Sequence, residues 1–185
     1  STAAWGVVMQ GLMQDRPLTV PHLFGRAERL FPEKQVTTNT PIGLRRTTCG
    51  QWAERTRRLG GVLDALSISA DGRVATFAWN TARHLELYFA APCTGRVLHT
   101  LNIRLFPEQL TYIVNHAEDR MLFIDAATLP VAEAIASRLT TIEHYVMMCE
   151  PSRMPAKTSL PNLLCYDELL AAESAHYDWP DFDER

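Results

Sequence analysis

Hydrophobic residues recur at helical spacing in two stretches of the first third of the chain. Between about Pro21 and Phe31, apolar side chains fall at i, i+3, i+4, i+7 and i+8, which predicts an amphipathic helix ended by Pro32. In TCGQWAERTRRLGGVLDAL, Thr48 and Gln51 have the spacing of a capping box, which predicts the start of a second helix. Between the two, KQVTTN and LRRTT flank the turn-forming TPIG and predict a β-hairpin.

Four short apolar segments alternate with helical patterns along the middle of the chain. The segments are RVATFAW, RVLHTLN, RMLFID and HYVMMC, and the helices between them are TARHLELYFAAPCTG, with Asn80 as its predicted cap, PEQLTYIVNHAED and LPVAEAIASRL. Because the segments are apolar at nearly every position, each is expected to be covered on both faces. The pattern predicts an α/β fold, a mainly parallel sheet with helices on both faces, preceded by a helix and a β-hairpin.

The length of the chain and a change of pattern after Glu150 indicate its domain organisation. At 185 residues, 46% of them apolar, the chain has the size of one domain and enough material for a core. We expect an N-terminal extension over residues 1–17, the α/β unit over residues 18–150 and a third segment over residues 151–185. That segment is predicted to hold a Pro-containing loop, the short helix LLCYDELLAAESA and an acidic tail that reaches no further strand.

Composition narrows the classes of partner. The net charge is −3, which gives no electrostatic case for a nucleic-acid partner. No apolar run reaches the roughly 18 residues of a membrane span, and no signal sequence opens the chain, so a cytoplasmic location without a transmembrane segment is expected. Four dispersed cysteines lack the spacing of a zinc or redox motif and are expected to be thiols in a reducing compartment: Cys49, Cys93, Cys149 and Cys165.

Glycine is absent from the second half of the chain. The last glycine is Gly95, and no segment matches a dinucleotide or P-loop pattern. Since a loop that brings several backbone N–H groups onto a phosphate generally uses glycine, we expect no such cradle after Gly95. Gly60 and Gly61, inside the second helix, are better explained by close packing than by phosphate binding. The sequence offers no G-x-S-x-G elbow and no set of metal ligands, so no catalytic residue and no metal site is predicted.

The stretch HTLNIRLFPEQLTYIVNHAED is rich in polar side chains. His84, upstream of it, and His116 are interpreted as packing or helix-surface histidines, and HAED as a helix end with a solvated turn. His99 lies near the carboxyl end of a predicted parallel strand, where ligands of open α/β sheets bind. A ligand-lining role is therefore considered for His99, Asn102 or Arg104, beside the alternative that all three are structural.

The segment from Arg73 to Asp125 holds a distinctive set of features: YIVNHAED before an apolar strand, the block HTLNIRL, and the single residues Asn80, His84, Tyr88 and Gly95. With these features the segment resembles the N-terminal region of fatty-acyl-CoA synthetases, members of the adenylate-forming, AMP-binding superfamily. The resemblance covers about Leu18 to Arg185 and is strongest in this segment.

The resemblance implies a partial domain of the adenylate-forming fold and a two-step reaction in the complete enzyme. A fatty acid or related carboxylate reacts with ATP and Mg²⁺ to give an acyl-adenylate, and CoA then forms the thioester and releases AMP. In such enzymes a loop rich in Ser, Thr and Gly follows a tail like DWPDFDER. The chain is therefore expected to be an N-terminal fragment, inactive alone and without bound cofactor, from an enzyme that is cytoplasmic or peripheral to a membrane.

No catalytic role is carried over from the family, because no residue matches its catalytic motifs. The resemblance makes His99, Asn102 and Arg104 candidates for the CoA approach or for a junction between subdomains. A homodimer is expected, because a sheet that normally packs against further layers would expose apolar surface, and the segment before Leu18 is a candidate for exchange between chains. The alternatives are a non-catalytic dimerisation or regulatory module and an unrelated nucleotide-binding α/β domain, which the missing glycines disfavour.

Overall fold

A computed structural model describes residues 17–41 and 43–183. The predicted extension, with the segment proposed for exchange, therefore lies outside the described residues except for Pro17. The chain opens with a helix, a two-stranded antiparallel hairpin and a long helix, as the hydrophobic pattern predicts. These elements are α1 (Val20–Leu30), β1 (Gln35–Thr40), β2 (Gly43–Thr48) and α2 (Cys49–Ala65).

The predicted capping box at the start of α2 is confirmed. The Gln51 backbone N–H donates to Thr48 Oγ1 at 3.2 Å, and the Thr48 N–H donates to Gln51 Oε1 at 3.0 Å. Two of the backbone donors at the helix start are thereby satisfied. Helix α1 has Thr19 at the equivalent position, but the Thr19 side chain makes no capping hydrogen bond.

Five parallel strands form the central sheet, in the order β4-β3-β5-β6-β7. The strands are β3 (Arg73–Phe77), β4 (Val97–Thr100), β5 (Met121–Ile124), β6 (His144–Met147) and β7 (Leu164–Cys165). The first four are the apolar segments identified in the sequence. Strand β7 was not predicted, because two residues are too few to show a hydrophobic period, and the segment after residue 150 thus contributes to the sheet.

Helices cover both faces of the sheet, which confirms the predicted α/β class. The remaining helices are α3 (Ala82–Cys93), α4 (Pro107–Ala117), α5 (Leu129–Ile135) and α6 (Tyr166–Ala172). One core cluster packs α2, α3 and α6 on the face that includes Val74 and Phe123, and a second packs α4 and α5 on the face that includes Ala75 and Leu122. No helix of the described residues combines the length and the apolar character needed to cross a membrane.

Two helix starts differ from the sequence-based expectation. Helix α3 is capped by Thr81, whose Oγ1 accepts from the His84 backbone N–H at 3.3 Å, and not by Asn80. Helix α6 begins at Tyr166 and not at Leu163, because the preceding residues pair with β6 as β7. The start of α3 is thus set by a local cap one residue later than predicted, whereas the start of α6 is shifted by strand pairing.

The segment that follows α6 runs back across α2. Arg58 Nη1 donates to the Glu173 carbonyl at 2.5 Å, and Arg57 Nη1 donates to the Tyr177 carbonyl at 2.5 Å. The Tyr177 hydroxyl donates to Asp64 Oδ2 at 2.7 Å. This segment, residues 173–183, is called the tail strap below. It is the neighbour that explains Gly60 and Gly61 of α2.

Candidate functional site

His99 and Asp119 form a buried pair between the edge strand and the end of α4. His99 Nδ1 lies 2.8 Å from Asp119 Oδ2 and 3.0 Å from Oδ1. The Asp119 side chain is completely buried, whereas that of His99 is 26% exposed. Burial raises the pKa of the Asp119 carboxyl, and the His99 hydrogen bond and charge oppose the increase. The pair ties β4 to the connection between α4 and β5.

The interpretation of HAED as a solvated turn is correct for Glu118 and wrong for Asp119. Glu118 is exposed and has a left-handed backbone (φ 55°), which ends α4. The Asp119 N–H then donates to the Val114 carbonyl at 3.1 Å, which turns the chain inward. His116 is exposed and stacks on Tyr112, with ring centroids 5.3 Å apart, so it is a helix-surface histidine as expected.

Asn102 and Arg104 lie in the turn that follows β4. The Asn102 side-chain oxygen accepts from the Arg104 backbone N–H at 3.0 Å, which closes the turn. Both residues are exposed, and no hydrogen bond or ion pair joins the Arg104 side chain to another described residue. His99 is thus paired with Asp119, whereas Asn102 and Arg104 are joined to each other in the turn. A ligand-lining role for any of the three stays a prediction.

His84 is a buried packing residue. Its Nδ1 lies 3.2 Å from the Trp79 carbonyl oxygen and its Nε2 lies 2.9 Å from Thr76 Oγ1. Because a carbonyl can only accept, Nδ1 carries the proton, and a neutral ring then accepts from the Thr76 hydroxyl at Nε2. Burial lowers the pKa of His84, which agrees with the neutral form. The imidazole therefore fixes the start of α3 against β3.

The crevice between β3 and β5 is where ligands of open α/β sheets usually bind, because the chain leaves these neighbouring strands toward opposite faces. In this chain Asp125 fills it. One Asp125 oxygen accepts from the Trp79 N–H at 2.8 Å, and the other accepts from the N–H groups of Ala127 and Thr128 at 2.9 and 3.1 Å. The backbone donors that an external anion would use are thus already bound to a carboxylate.

A cluster of charged side chains, not predicted from the sequence, joins α2, α3 and α6. Glu86 is 1% exposed and accepts from Arg55 Nε and from the Tyr166 hydroxyl, both at 2.6 Å. Asp167 bridges two arginines, with 2.8 Å to Arg55 Nη2 and 2.7 Å to Arg83 Nη2. The sequence signal was a glutamate between Leu85 and Leu87 in an otherwise apolar helix, but its partners are far away along the chain.

Burial and pairing set the pKa values in this cluster. Burial raises the pKa of the Glu86 carboxyl, and the charge and hydrogen bond of Arg55 only partly oppose this. The Tyr166 hydroxyl has its pKa raised well above the ordinary value, first by burial and then by the neighbouring Glu86. Burial would also raise the pKa of Asp167, but hydrogen bonds from Arg83 and Arg55 hold it below its ordinary value.

A cavity of about 480 Å³ opens beside this cluster, between the hairpin, α2 and the first turns of α3. It is called the hairpin cavity below. Its walls hold four arginines and four threonines, and the complete lining is Val36, Thr38, Thr40, Arg45, Arg46, Thr47, Gln51, Glu54, Arg55, Thr81, Ala82, Arg83, Glu86 and Asp167. Within residues 17–41 and 43–183, no three His, Cys, Asp or Glu side chains are arranged to hold a metal ion.

A family model and the sequences of known proteins place the chain in the same family. The family model described as AMP-binding enzyme matches residues 24–168. The 3-methylmercaptopropionyl-CoA ligase of Ruegeria pomeroyi is 46% identical over 96% of this chain and 33% of its own length. The medium-chain-fatty-acid–CoA ligase of Ectopseudomonas oleovorans is 35% identical over 95% of this chain and 32% of its own length. The chain thus spans about a third of the length of these curated relatives.

Solved structures share the fold. An anthranilate CoA ligase in complex with anthranoyl-AMP superposes with a TM-score of 0.77 and 20% identity, covering 89% of this chain and 30% of that one. The N-terminal domain of FACL13 from Mycobacterium tuberculosis superposes with a TM-score of 0.66 and 21% identity, covering 89% of this chain and 37% of that one. At these identities the superpositions support the architecture alone.

Proposed function

The chain belongs to the AMP-binding enzyme family, and we propose on this basis that it forms the N-terminal part of an AMP-forming acyl-CoA ligase. In the reaction, a carboxylate oxygen attacks the α-phosphorus of ATP, and pyrophosphate leaves. The CoA thiol then attacks the acyl carbonyl carbon of the adenylate, and AMP leaves. The observation that carries the proposal is 46% identity to a CoA ligase over 96% of the chain.

The described residues do not fit ATP and Mg²⁺ by themselves. Asp125 takes up the N–H groups in the crevice between β3 and β5, and no glycine follows Gly95 to supply another phosphate cradle. No step of the reaction is therefore assigned to a side chain of this chain. We propose that ATP, Mg²⁺ and CoA bind mainly to other parts of the ligase, and that this chain alone is inactive.

Arg104 is the best placed of the three candidate residues for the CoA approach. Its side chain is exposed beyond the carboxyl end of β4, and the Asn102 turn fixes its backbone. A guanidinium in this position could pair with a phosphate of CoA. His99 would act only indirectly, by holding β4 against Asp119. In an active ligase, Arg104→Gln is expected to raise KM for CoA about tenfold and to leave kcat unchanged.

The proposed substrate is a fatty acid or a related carboxylate. Named substrates of the relatives range from 3-methylmercaptopropionate in the Ruegeria enzyme to long-chain fatty acids in a Thermus thermophilus ligase that is 42% identical over 88% of this chain. A short thioether acid, a medium-chain acid and a long-chain acid therefore form a suitable test panel.

A chimeric enzyme tests the proposal. This chain replaces the matching third of the Ruegeria pomeroyi ligase, and formation of CoA thioesters is measured with the three acids. We expect activity within about tenfold of the parent, because the exchanged part is scaffold and the reacting groups lie in the retained part. The matched control replaces the same third by that of the Ectopseudomonas oleovorans ligase, which is 35% identical to this chain.

The control separates a wrong proposal from a poorly fitting junction. A chimera that is folded and inactive with all three acids, beside an active control chimera, would contradict the role as a ligase part. It would favour the non-catalytic dimerisation or regulatory module. The isolated chain is expected to form no thioester in the same assay, and detectable turnover would contradict the assignment of the chemistry to the rest of the enzyme.

A further inference from the structure

The hairpin cavity has the dimensions of a ligand site. Pockets for small molecules enclose about 300–1,000 Å³, and this cavity encloses about 480 Å³. Its walls come from the β1–β2 hairpin, the first half of α2, the start of α3 and Asp167 of α6. Thr38 Oγ1 accepts from the Ala82 N–H at 3.0 Å, which joins the hairpin to α3 at the cavity wall.

The carboxylates at this cavity are already occupied. Glu86 accepts two hydrogen bonds from Arg55 and one from Tyr166. Asp167 accepts from Arg55 and from both Nε and Nη2 of Arg83. Glu54, the third carboxylate of the lining, accepts from Arg58 on the next turn of α2 at 3.0 and 3.2 Å. The acidic side chains therefore leave few acceptor positions for a ligand.

The groups that remain unused are donors. Nη1 of Arg55 and Nη1 of Arg83 have no hydrogen-bond partner among the described residues, and neither is buried from solvent. The Arg46 side chain is exposed and joins no ion pair within the described residues. The Gln51 amide oxygen accepts hydrogen bonds from Thr47 and Thr48. The NH₂ group of the same side chain therefore points away from these two residues and keeps its two N–H donors.

Such a surplus of guanidinium donors matches an oxyanion. Nη1 of Arg55 and of Arg83 can donate to such an anion while the other guanidinium nitrogens stay bound to Glu86, Asp167 and Glu150, and charge-assisted hydrogen bonds are about twice as strong as neutral ones. Arg55 and Arg83 are also held in place, because both are hydrogen-bonded to Asp167. A fixed guanidinium loses less conformational entropy when it binds a ligand than a free one does. The hydroxyl oxygens of Thr38 and Thr81 accept backbone N–H groups, so their O–H donors can hydrogen-bond to a hydroxylated remainder of the ligand.

We propose that the hairpin cavity binds a phosphomonoester of a small hydroxylated metabolite, with its phosphate on Arg46, Arg55 and Arg83. The site lies on the opposite face of the sheet from the His99–Asp119 pair. It is independent of the proposed ligase activity, so the chimera could fail while this site binds, or the reverse. Ribose 5-phosphate is the probe, since it combines the phosphate with hydroxyl groups.

Titration calorimetry on this chain tests the site, with sodium chloride used to hold the ionic strength constant. Ribose 5-phosphate is compared with inorganic phosphate and with ribose. We expect saturable binding of ribose 5-phosphate, weaker binding of phosphate and none of ribose. Arg46→Gln is expected to weaken binding about tenfold, because one charged hydrogen-bonding group is lost. Arg26→Gln, on the exposed side of α1, removes the same charge elsewhere and is expected to have no effect.

Arg83→Lys provides a second variant that keeps the charge but loses the Nη1 donor group, and it is expected to weaken binding by a similar factor. Circular dichroism checks that each variant is folded. Equal affinity for phosphate and ribose 5-phosphate would overturn the assignment to a phosphomonoester. Equal weakening by Arg46→Gln and Arg26→Gln would show a general charge effect and would overturn the site, as would unchanged binding in Arg46→Gln.

Discussion

Gly60 lies directly against Trp179: a Cβ atom placed on Gly60 would be 2.9 Å from Trp179 Cζ3 and 3.0 Å from Tyr177 Cε1. A Cβ atom placed on Gly61 would be 2.7 Å from a Glu173 carboxylate oxygen. The tail strap therefore packs directly against these two glycines, and the interpretation as close packing is confirmed. Their lost helix propensity, about 1 kcal/mol each, is offset by the contact that the missing side chains permit.

Gly60→Ala is expected to destabilise the chain by about 1–3 kcal/mol, because the added methyl must displace the aromatic rings of the tail strap. Gly50→Ala in the same helix is the control. Its Cβ would lie no closer than 3.5 Å to a neighbour, so it should be neutral or stabilise by up to about 1 kcal/mol. Urea unfolding followed by tryptophan fluorescence measures both. Similar changes in the free energy of unfolding of the two variants would contradict the close packing of the tail strap on Gly60.

Thr48→Ala is expected to cost about 0.5–2 kcal/mol, because it removes the side-chain acceptor at the start of α2. Thr19→Ala is a matched control at the start of α1. The Thr19 side chain makes no capping hydrogen bond, so its removal should change the free energy of unfolding by less than about 0.5 kcal/mol. Equal losses in thermal and urea unfolding of the two variants would be evidence against the capping box.

The Asp119 carboxyl is expected to make stability depend on pH. Its pKa is raised by burial, so its favourable contribution is fully present below its unfolded pKa, near 3.8, and is lost as pH rises through the folded pKa. The free energy of unfolding of the wild type, relative to Asp119→Asn, should therefore fall as pH rises above 3.8. Glu118→Gln, at the exposed neighbour, is the control. A wild-type stability that rose relative to Asp119→Asn over this range would refute the prediction.

Arg55→Met is expected to destabilise by about 3–5 kcal/mol at pH 7, because it leaves the Glu86 charge buried without its partner. The double variant with Glu86→Met should recover most of this loss. The loss should also shrink at acidic pH, where Glu86, whose pKa is raised by burial, binds a proton. Arg120→Met removes an exposed pair and should cost less than about 1 kcal/mol. Chemical unfolding at two pH values checks all three variants against the wild type.

Self-association is expected for this chain and is measured by sedimentation velocity. Leu23 and Leu30 lie about two helical turns apart on the same side of α1 and are 62% and 58% exposed, which leaves an apolar strip on its surface. Glutamate at both positions should shift a dimer to the monomer if this strip carries the contact. Tyr112→Glu, at an exposed position on α4, serves as control. A wild-type chain that sediments as a monomer at high concentration contradicts the expected homodimer.

Local patterns were sufficient for most of the fold. The capping box of α2 depends on residues three apart, and the strands from β3 to β6 depend on short apolar runs. Both lie within a few residues of chain, where spacing alone determines which groups can meet. The coverage of both sheet faces also followed, because nearly every strand position is apolar.

The side-chain pairs at the candidate sites could not be predicted from the sequence. Arg55 and Asp167 are 112 residues apart, and His99 and Asp119 are 20 apart, yet each pair is joined by hydrogen bonds. A buried Asp119 could not be distinguished from a solvated one, because its partner comes from a different element. The crevice at Asp125 likewise depends on β3 and β5 being neighbours, although β4 lies between them along the chain.

The sequence by itself therefore determined most of the elements, their order along the chain and the α/β class of this protein, but not the short strand β7. Only the tertiary structure decided which polar side chains are paired, which are buried and where unused donors collect. The physical reason is that periodicity and capping act between residues close along the chain, whereas the pairing of charges depends on strand order and register. Those are set by the packing of the whole core.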